Sequence, residues 1–199
     1  MPIIVHKERK RADILEAAMT VFARKGFHRS KMEEVAVAAK IGKGTIYEYF
    51  ESKQQLLQAL HGYMLRQLKE YYTEKLNGIE EPPQIIAAFL SAALASFRRW
   101  ERFFYVFCDV WAEAGRAEQQ NLLRMQLRDA YQSSIADLTL VIEAGVAGNF
   151  FHCDQPRLAA EQILACVDGM ALHWLYDQKA FDLDEMTDAF TRSVMRSLG

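Results

Sequence analysis

Apolar residues along this chain recur three and four positions apart. Few stretches alternate with period two, so nearly every segment predicts a helix. The first predicted helix runs from about Lys7 to Lys25. Leu15, Ala18 and Phe22 form its apolar stripe, with Ile14 and Val21 beside it. Gly26 follows, where a left-handed residue ends a helix. A second helix starts at Ser30, where Ser30-Lys31-Met32-Glu33 fits a capping box. Met32, Val35, Ala36 and Ala39 give it a narrow face that lets another helix approach closely. Lys40-Ile41-Gly42 breaks the pattern, and a short helix follows from about Lys43 to Phe50. Ser52-Lys53-Gln54-Gln55 reads as another capping box. It opens a long helix carrying Leu56, Leu57, Leu60, Met64, Leu68 and Tyr71 or Tyr72, which ends near Asn77-Gly78. Ile3-Ile4-Val5 is the only strand-like run and is too short to count.

Pro82-Pro83 marks a boundary, because proline suits a first helical turn and not an interior. Further helices are predicted at about 83–99, 101–113, 117–147, 155–178 and 183–197. Gly115, Gly145-Val146-Ala147-Gly148 and Pro156 punctuate them, and Asp182-Leu183-Asp184-Glu185 caps the last. The expected fold is all-α with about nine helices, without internal repeats or low-complexity segments.

Three short helices, with a turn of about three residues between the second and third, fit a helix-turn-helix. In that unit the third helix packs one face on the first two and offers the other to the DNA major groove. Ile46, Tyr49 and Phe50 lie at i, i+3 and i+4 and form the packed face. Gly44, Tyr47 and Glu48 share another face, with Lys43 and Thr45 in the first turn beside it. Gly44 has no Cβ, so DNA can approach the backbone there. The free N–H groups of that turn can receive a phosphate.

Arg11-Ala12-Asp13-Ile14-Leu15-Glu16-Ala17-Ala18, Phe22, Gly26-Phe27, Met32-Glu33-Glu34-Val35-Ala36 and Gly44-Thr45-Ile46-Tyr47-Glu48-Tyr49-Phe50-Glu51-Ser52-Lys53 are similar to TetR-type (TetR/AcrR-like) transcriptional regulators. The match is collinear over about residues 9–60. The resemblance implies that Ser30 and Lys31 touch phosphates and that Lys43, Thr45 and Tyr47 lie on the DNA. It further implies that Lys53 holds a phosphate, while Ile46 and Phe50 are core. Two departures stand out. Lys40 occupies a turn position where the family usually has glycine, so it is strained if that position needs positive φ, and it adds a candidate phosphate contact. Gly42 replaces a Ser or Thr cap, which it matches to within about a few tenths of a kcal/mol. Taken singly, Lys31, Lys40 and Lys53 also read as solvated lysines, and Tyr47 and Tyr49 as core aromatics. Glu48 repels phosphate; it faces a cytosine amine, pairs with a lysine or makes no contact.

Charge supports the division. The 199 residues have a formal net charge of −2, yet residues 1–53 hold 11 Lys and Arg against 7 Asp and Glu. The remainder holds 13 against 19, so a basic head precedes an acidic body. Together with this split, the resemblance implies a helix-turn-helix domain at 1–53, the long helix 52–77 as link, and an effector-binding and dimerisation domain at 54–199. The hydrophobic content of 51% and charged content of 25% exclude a mainly disordered chain. The longest uncharged run, Pro82 to Phe97, is 16 residues, too short to span a membrane. The N-terminus carries no signal-peptide core, and three cysteines without a CxxC read as reduced thiols, so a cytoplasmic protein is expected.

The resemblance also implies a helical C-terminal part that dimerises and binds a small molecule. Leu158, Ile163, Leu164, Val167, Met170, Ala171, Leu172, Trp174 and Leu175 are apolar nearly all round one helix, so it is buried on more than one side. With Met186, Ala189, Phe190, Val194, Met195 and Leu198 it can build a four-helix interface. The interface residues expected are Leu158, Val167, Met170, Trp174, Phe190 and Val194; an intrachain core is the alternative. Phe97, Trp100, Phe103, Phe104, Tyr105, Phe107 and Trp111 crowd two helices, with Met125, Tyr131, His173 and Tyr176 able to face them. The pocket expected is apolar and aromatic, drawn from Trp100, Phe104, Phe107, Cys108, Trp111, Met125, Tyr131 and His173. A filled aromatic core is the alternative.

No Gly-rich phosphate loop, GxSxG or HExxH occurs. His6, His28, His61, His152 and His173 are scattered, so no metal, cofactor or catalytic site is expected. His173 and Asp177, at i and i+4, read as a surface hydrogen bond. Arg98, Arg99 and Arg102 read as a solvated face, and Cys108 as a buried inert thiol. The expectation is a homodimeric DNA-binding regulator, a repressor that leaves a palindromic operator when a small, largely apolar ligand binds. Its rivals are a helical small-molecule-binding protein or enzyme whose N-terminal bundle is structural, and a ligand-independent DNA-binding protein.

Overall fold

In the computed structural model the described residues are 2–118, 121–179 and 181–199, with residues 2–6 described by backbone alone. Among them the chain is all-α: α1 (Pro2–Lys25), α2 (Met32–Ala38), α3 (Lys43–Tyr49), α4 (Lys53–Leu76), α5 (Pro82–Arg99), α6 (Glu101–Arg116), α7 (Leu122–Ala147), α8 (Pro156–Tyr176) and α9 (Leu183–Leu198). The backbone of Ile3-Ile4-Val5 belongs to α1; the side chains of that run and of His6 lie outside the described residues. The helix expected from residue 117 begins at Leu122, where the Asn121 carboxamide oxygen accepts the Leu123 N–H at 2.9 Å. Residues 119 and 120 of the expected helix lie outside the described set.

The caps follow local chemistry, with one correction. The cap of α2 is Lys31, not Ser30. Its N–H donates to Glu34 Oε2 at 3.0 Å, so Glu34 takes the role expected of Glu33. Ser30 Oγ instead donates to the Gly26 carbonyl at 2.8 Å, a backbone bond four residues back that competes with capping. At α4, Ser52 Oγ accepts the Gln55 N–H at 3.1 Å, while Gln55 Oε1 accepts from Glu51 at 2.6 Å. Asp182 caps α9 as expected.

The chain gathers into two compact units. One comprises residues up to Gln67 together with Arg102–Leu127; it therefore runs past residue 53 and takes in α6. Here α2 packs on α1 and α3 on α2. Ile14, Leu15, Ala18, Phe22, Phe27, Val35, Ile46, Phe50, Leu56, Leu57 and Leu60 are all buried. Phe22 and Phe27 meet edge to face at 5.6 Å.

The other unit comprises Leu68–Glu101 and Arg128–Gly199. Helix α5 packs on α8 and α9 over Ile86, Leu90, Ala93, Leu94 and Phe97. Phe97 lies 6.4 Å from Trp174. Gly145 on α7 is required by packing, because a Cβ there would stand 2.1 Å from Phe151 Cδ2. Most residues expected at an interface on α8 and α9 are covered within the chain itself. Val167, Trp174 and Val194 are only 7%, 6% and 4% exposed within the chain itself. They are committed to its own core, and Met170 and Phe190 are half-buried. Leu158 alone of the six is exposed.

Candidate nucleic-acid interface

The short helix α3 begins after Gly42, which takes extended dihedrals at the cap and supplies no side-chain oxygen. Ile46 and Phe50 are fully buried, as expected. The opposite face is open. Lys43, Gly44, Tyr47 and Glu48 are exposed, Thr45 is half-buried, and Tyr47 is 41% exposed. No atom lies within 4 Å of the place a Cβ on Gly44 would occupy, so a phosphate or base edge can approach the backbone. Lys31 on one side and Lys40 on the other are also exposed. Lys40 adopts φ +55°, the left-handed conformation that glycine would take more readily.

The charged groups on this face are partly paired. Lys43 Nζ lies 2.8 Å from Glu33 Oε1 on α2. That contact holds the Glu33 carboxyl below its ordinary pKa and the Lys43 ammonium above it. Glu34 pairs with Lys25 as well as with the Lys31 N–H, and its carboxyl is likewise lowered. A phosphate reaching Lys43 therefore competes with an exposed ion pair of small net value. Val37, at the C-terminal end of α2, is 77% exposed beside these residues in sequence. An exposed β-branched side chain in a short amphipathic helix is the sequence signal for it, and it stood apart from the expected set.

Two residues expected to touch phosphate are otherwise occupied. Ser30 is 3% exposed with its hydroxyl bonded to Gly26. Lys53 Nζ donates to the carbonyls of Phe27 at 2.7 Å, His28 at 3.0 Å and Ser30 at 2.9 Å. It also stands 4.5 Å over the Phe27 ring. An ammonium has three donors, and all three are used. Lys53 is half-buried and closes the turn between α1 and α2. The same turn is fastened to α6: the Phe27 N–H donates to Asp109 Oδ2 at 2.8 Å, and His28 Nε2 lies 2.8 Å from Glu113 Oε1. At the other side of the head Arg11 covers the Phe50 ring at 4.5 Å.

The residues expected to line one pocket fall into both units. Phe104, Phe107, Cys108, Trp111 and Met125 belong to the first, and Trp100, Tyr131 and His173 to the second. In the first, Phe107 and Trp111 stack edge to face at 5.5 Å, and burial pushes the Cys108 thiol up. Phe103, Val106 and Val110 on the same helix are buried core. In the second, Trp100 meets Tyr71 at 4.8 Å with the Arg99 guanidinium 5.2 Å over it. Tyr131 donates to Asp168 Oδ2 at 2.7 Å; burial raises that carboxyl, with the Tyr131 bond opposing. Burial pushes the Tyr72 hydroxyl up to about 12. His173 is exposed. A cavity of about 190 Å³ in the first unit is lined by Phe27, Leu57, Gln58, Glu113, Asn121 and Leu123, none of them in the expected pocket set. Among the described residues no His, Cys, Asp and Glu group suits a metal, and no helix is long and apolar enough to cross a membrane.

Comparison with known proteins agrees with this geometry. Residues 14–60 match the family model for bacterial regulatory proteins of the tetR family, and residues 82–199 match the C-terminal model of BetI-type transcriptional repressors. The HTH-type transcriptional repressor BepR of Brucella suis biovar 1 (strain 1330) is 28% identical over 195 residues, covering 94% of this chain and 91% of that one. A transcriptional regulator from Saccharomonospora viridis, solved in complex with choline, has a similar structure. Its TM-score is 0.84 at 20% identity, over 93% of this chain and 95% of that one. FadR from Bacillus subtilis, solved in complex with stearoyl-CoA, gives a TM-score of 0.79 at 20% identity, over 92% and 97%. The exposed face of α3, the helix-turn-helix that carries it and both family matches converge: this chain belongs to the tetR family of DNA-binding transcriptional regulators.

Proposed function

We propose that the protein is a homodimeric repressor, acting in the cytoplasm, which leaves a palindromic operator when a small molecule binds. Residues 1–53 read the DNA, and residues 54–199 bind the effector and dimerise. The observation that carries the first part is the open face of α3. Lys43, Gly44, Thr45 and Tyr47 enter the major groove, while Lys31 and Lys40 flank it on phosphates. Val37 supplies an apolar contact of the kind that meets a thymine methyl. Ser30 and Lys53 shape the head from within.

The dimer reading rests on the outer stripe of α8. Leu158, Ala165, Cys166, Leu172 and Tyr176 are exposed and lie on one helical face. Two such stripes meet across a two-fold axis, which matches two half-sites of an operator. The effector reading draws on the relatives, one solved with choline and one with stearoyl-CoA. Release works through α6. Asp109 and Glu113 hold the α1–α2 turn, so a ligand that displaces α6 moves the reading head and favours a dimer mismatched to its half-site spacing.

The test is selection of sites from random DNA by the purified protein, followed by affinity against salt. An enriched palindrome with a steep salt slope is the expected outcome. Tyr47→Ala should weaken binding to that site by about tenfold or more without changing the dimer. Unchanged affinity in that variant sinks the groove assignment. Absence of any enriched site, with and without candidate effectors, favours the reading in which the bundle is structural.

A further inference from the structure

We infer that His61 and Gln126 form the polar end of the effector site, inside the first unit, and that the effector is a neutral, mainly apolar molecule bearing a hydroxyl group. This rests on the reading of the protein as an effector-released regulator and names the chemistry of that effector.

His61 lies on α4 in the register of Leu57 and Met64, both buried, and is itself 0% exposed. Neither its Nδ1 nor its Nε2 makes a hydrogen bond, and neither does the buried Oε1 of Gln126. Buried polar groups are as a rule paired, because each unmet one costs about 1–3 kcal/mol. A site that needed only filling would hold Leu or Phe, as the neighbouring positions of α4 do with Leu57 and Leu60. The surroundings are aromatic. The Phe107 ring lies 5.9 Å from the imidazole, and Trp111 packs on Phe107.

The unmet groups define what can satisfy them. Burial holds the imidazole below its ordinary pKa; the Gln126 side chain works against that shift, without meeting either ring nitrogen in hydrogen-bonding geometry. A neutral imidazole has one N–H and one lone pair, and the Gln126 oxygen adds a second acceptor. A hydroxyl fits this set. Its proton goes to an acceptor and its oxygen receives the imidazole N–H. A carboxylate has no proton to give to either acceptor. A quaternary ammonium has no N–H, and no carboxylate stands among these groups. Phe107 and Trp111 suit the apolar body of the ligand.

The experiment titrates the full-length protein with 4-propylphenol, propylbenzene, 4-propylbenzoate and (4-propylphenyl)trimethylammonium. Binding is read by tryptophan fluorescence and calorimetry, and operator binding is measured on the same samples. The phenol should bind at least tenfold more tightly than the other three. His61→Phe and Gln126→Leu should each abolish that preference while propylbenzene still binds. Equal binding of phenol and propylbenzene, tighter binding of the benzoate or the ammonium, or no phenol binding by protein that holds its operator each overturn the inference. Failure to bind any DNA overturns the regulator mechanism instead, and the phenol preference is still read by fluorescence.

Discussion

Lys53 and His61 stand eight residues apart on α4, in the same compact unit. The ammonium of Lys53 spends all three donors on the carbonyls of Phe27, His28 and Ser30. The imidazole of His61 is fully buried, and neither ring nitrogen meets a partner in hydrogen-bonding geometry. The first turn of α4 thus fixes the reading head to its support, while the third turn carries polar capacity that the fold leaves unmet. A DNA-reading helix needs a rigid mount, because a small misplacement costs base contacts. An effector site needs groups that only the ligand completes. One helix supplies both, and the difference shows in the hydrogen bonds and not in the residue types.

The largest expected effect breaks the mount. Lys53→Met keeps much of the aliphatic stem and removes the three charge-assisted bonds, for a loss of about 3 kcal/mol. The thermal midpoint should fall by about 6–12 °C. A fall below about 2 °C would show that the turn holds itself. The second substitution should act in the opposite direction. His61→Phe removes two unmet polar atoms and should gain about 1–3 kcal/mol, raising Tm by about 2–12 °C. A lowered Tm would mean that the imidazole serves the core. Next in size is Lys40→Gly, which relieves a left-handed lysine at φ +55°. It should add about 1 kcal/mol, read in the same melt. A loss of stability would place the strain elsewhere.

The periodic parts of this fold were legible in the sequence because burial imposes the helical period. Leu15, Ala18 and Phe22 on α1, and Leu56, Leu57, Leu60 and Met64 on α4, are buried as their spacing required. Ile46 and Phe50 face inward for the same reason, which leaves Lys43, Gly44 and Tyr47 outside. What local pattern could not reveal is competition for the same atom from a distant one. Ser30 reads as a cap, but the Gly26 carbonyl takes its hydroxyl. Lys53 reads as a phosphate clamp, but three carbonyls from 23 to 26 residues away converge on it. Helix α8 is apolar nearly all round, so sequence alone could not say that Val167 and Trp174 turn inward while Leu158 and Leu172 turn out. His61 was legible in part. A histidine between Leu57 and Met64 on a buried stripe is a polar group in a core position, and only the missing partners distinguish it from a satisfied one.

The smallest expected effect sharpens the contrast in the second unit, where a polar group is as fully used as Lys53. Asp182 Oδ1 accepts the N–H of Glu185 at 3.0 Å and of Asp184 at 2.8 Å. Those bonds, Glu185 first, lower its carboxyl below the ordinary value of about 3.9. Because the folded pKa lies below the unfolded one, the carboxylate stabilises the fold fully above about pH 4 and loses that contribution as pH falls through the folded value. Asp182→Asn still caps α9 but carries no charge to meet the helix dipole and does not titrate. Its melting temperature should lie slightly below that of the natural chain from pH 5 to 7, and the two should converge as pH falls below the ordinary aspartate value and through the lowered one, where the aspartate takes up its proton. A difference that stays constant over that range would mean that the cap works through its hydrogen bonds alone, so that charge would add nothing at a fully satisfied site.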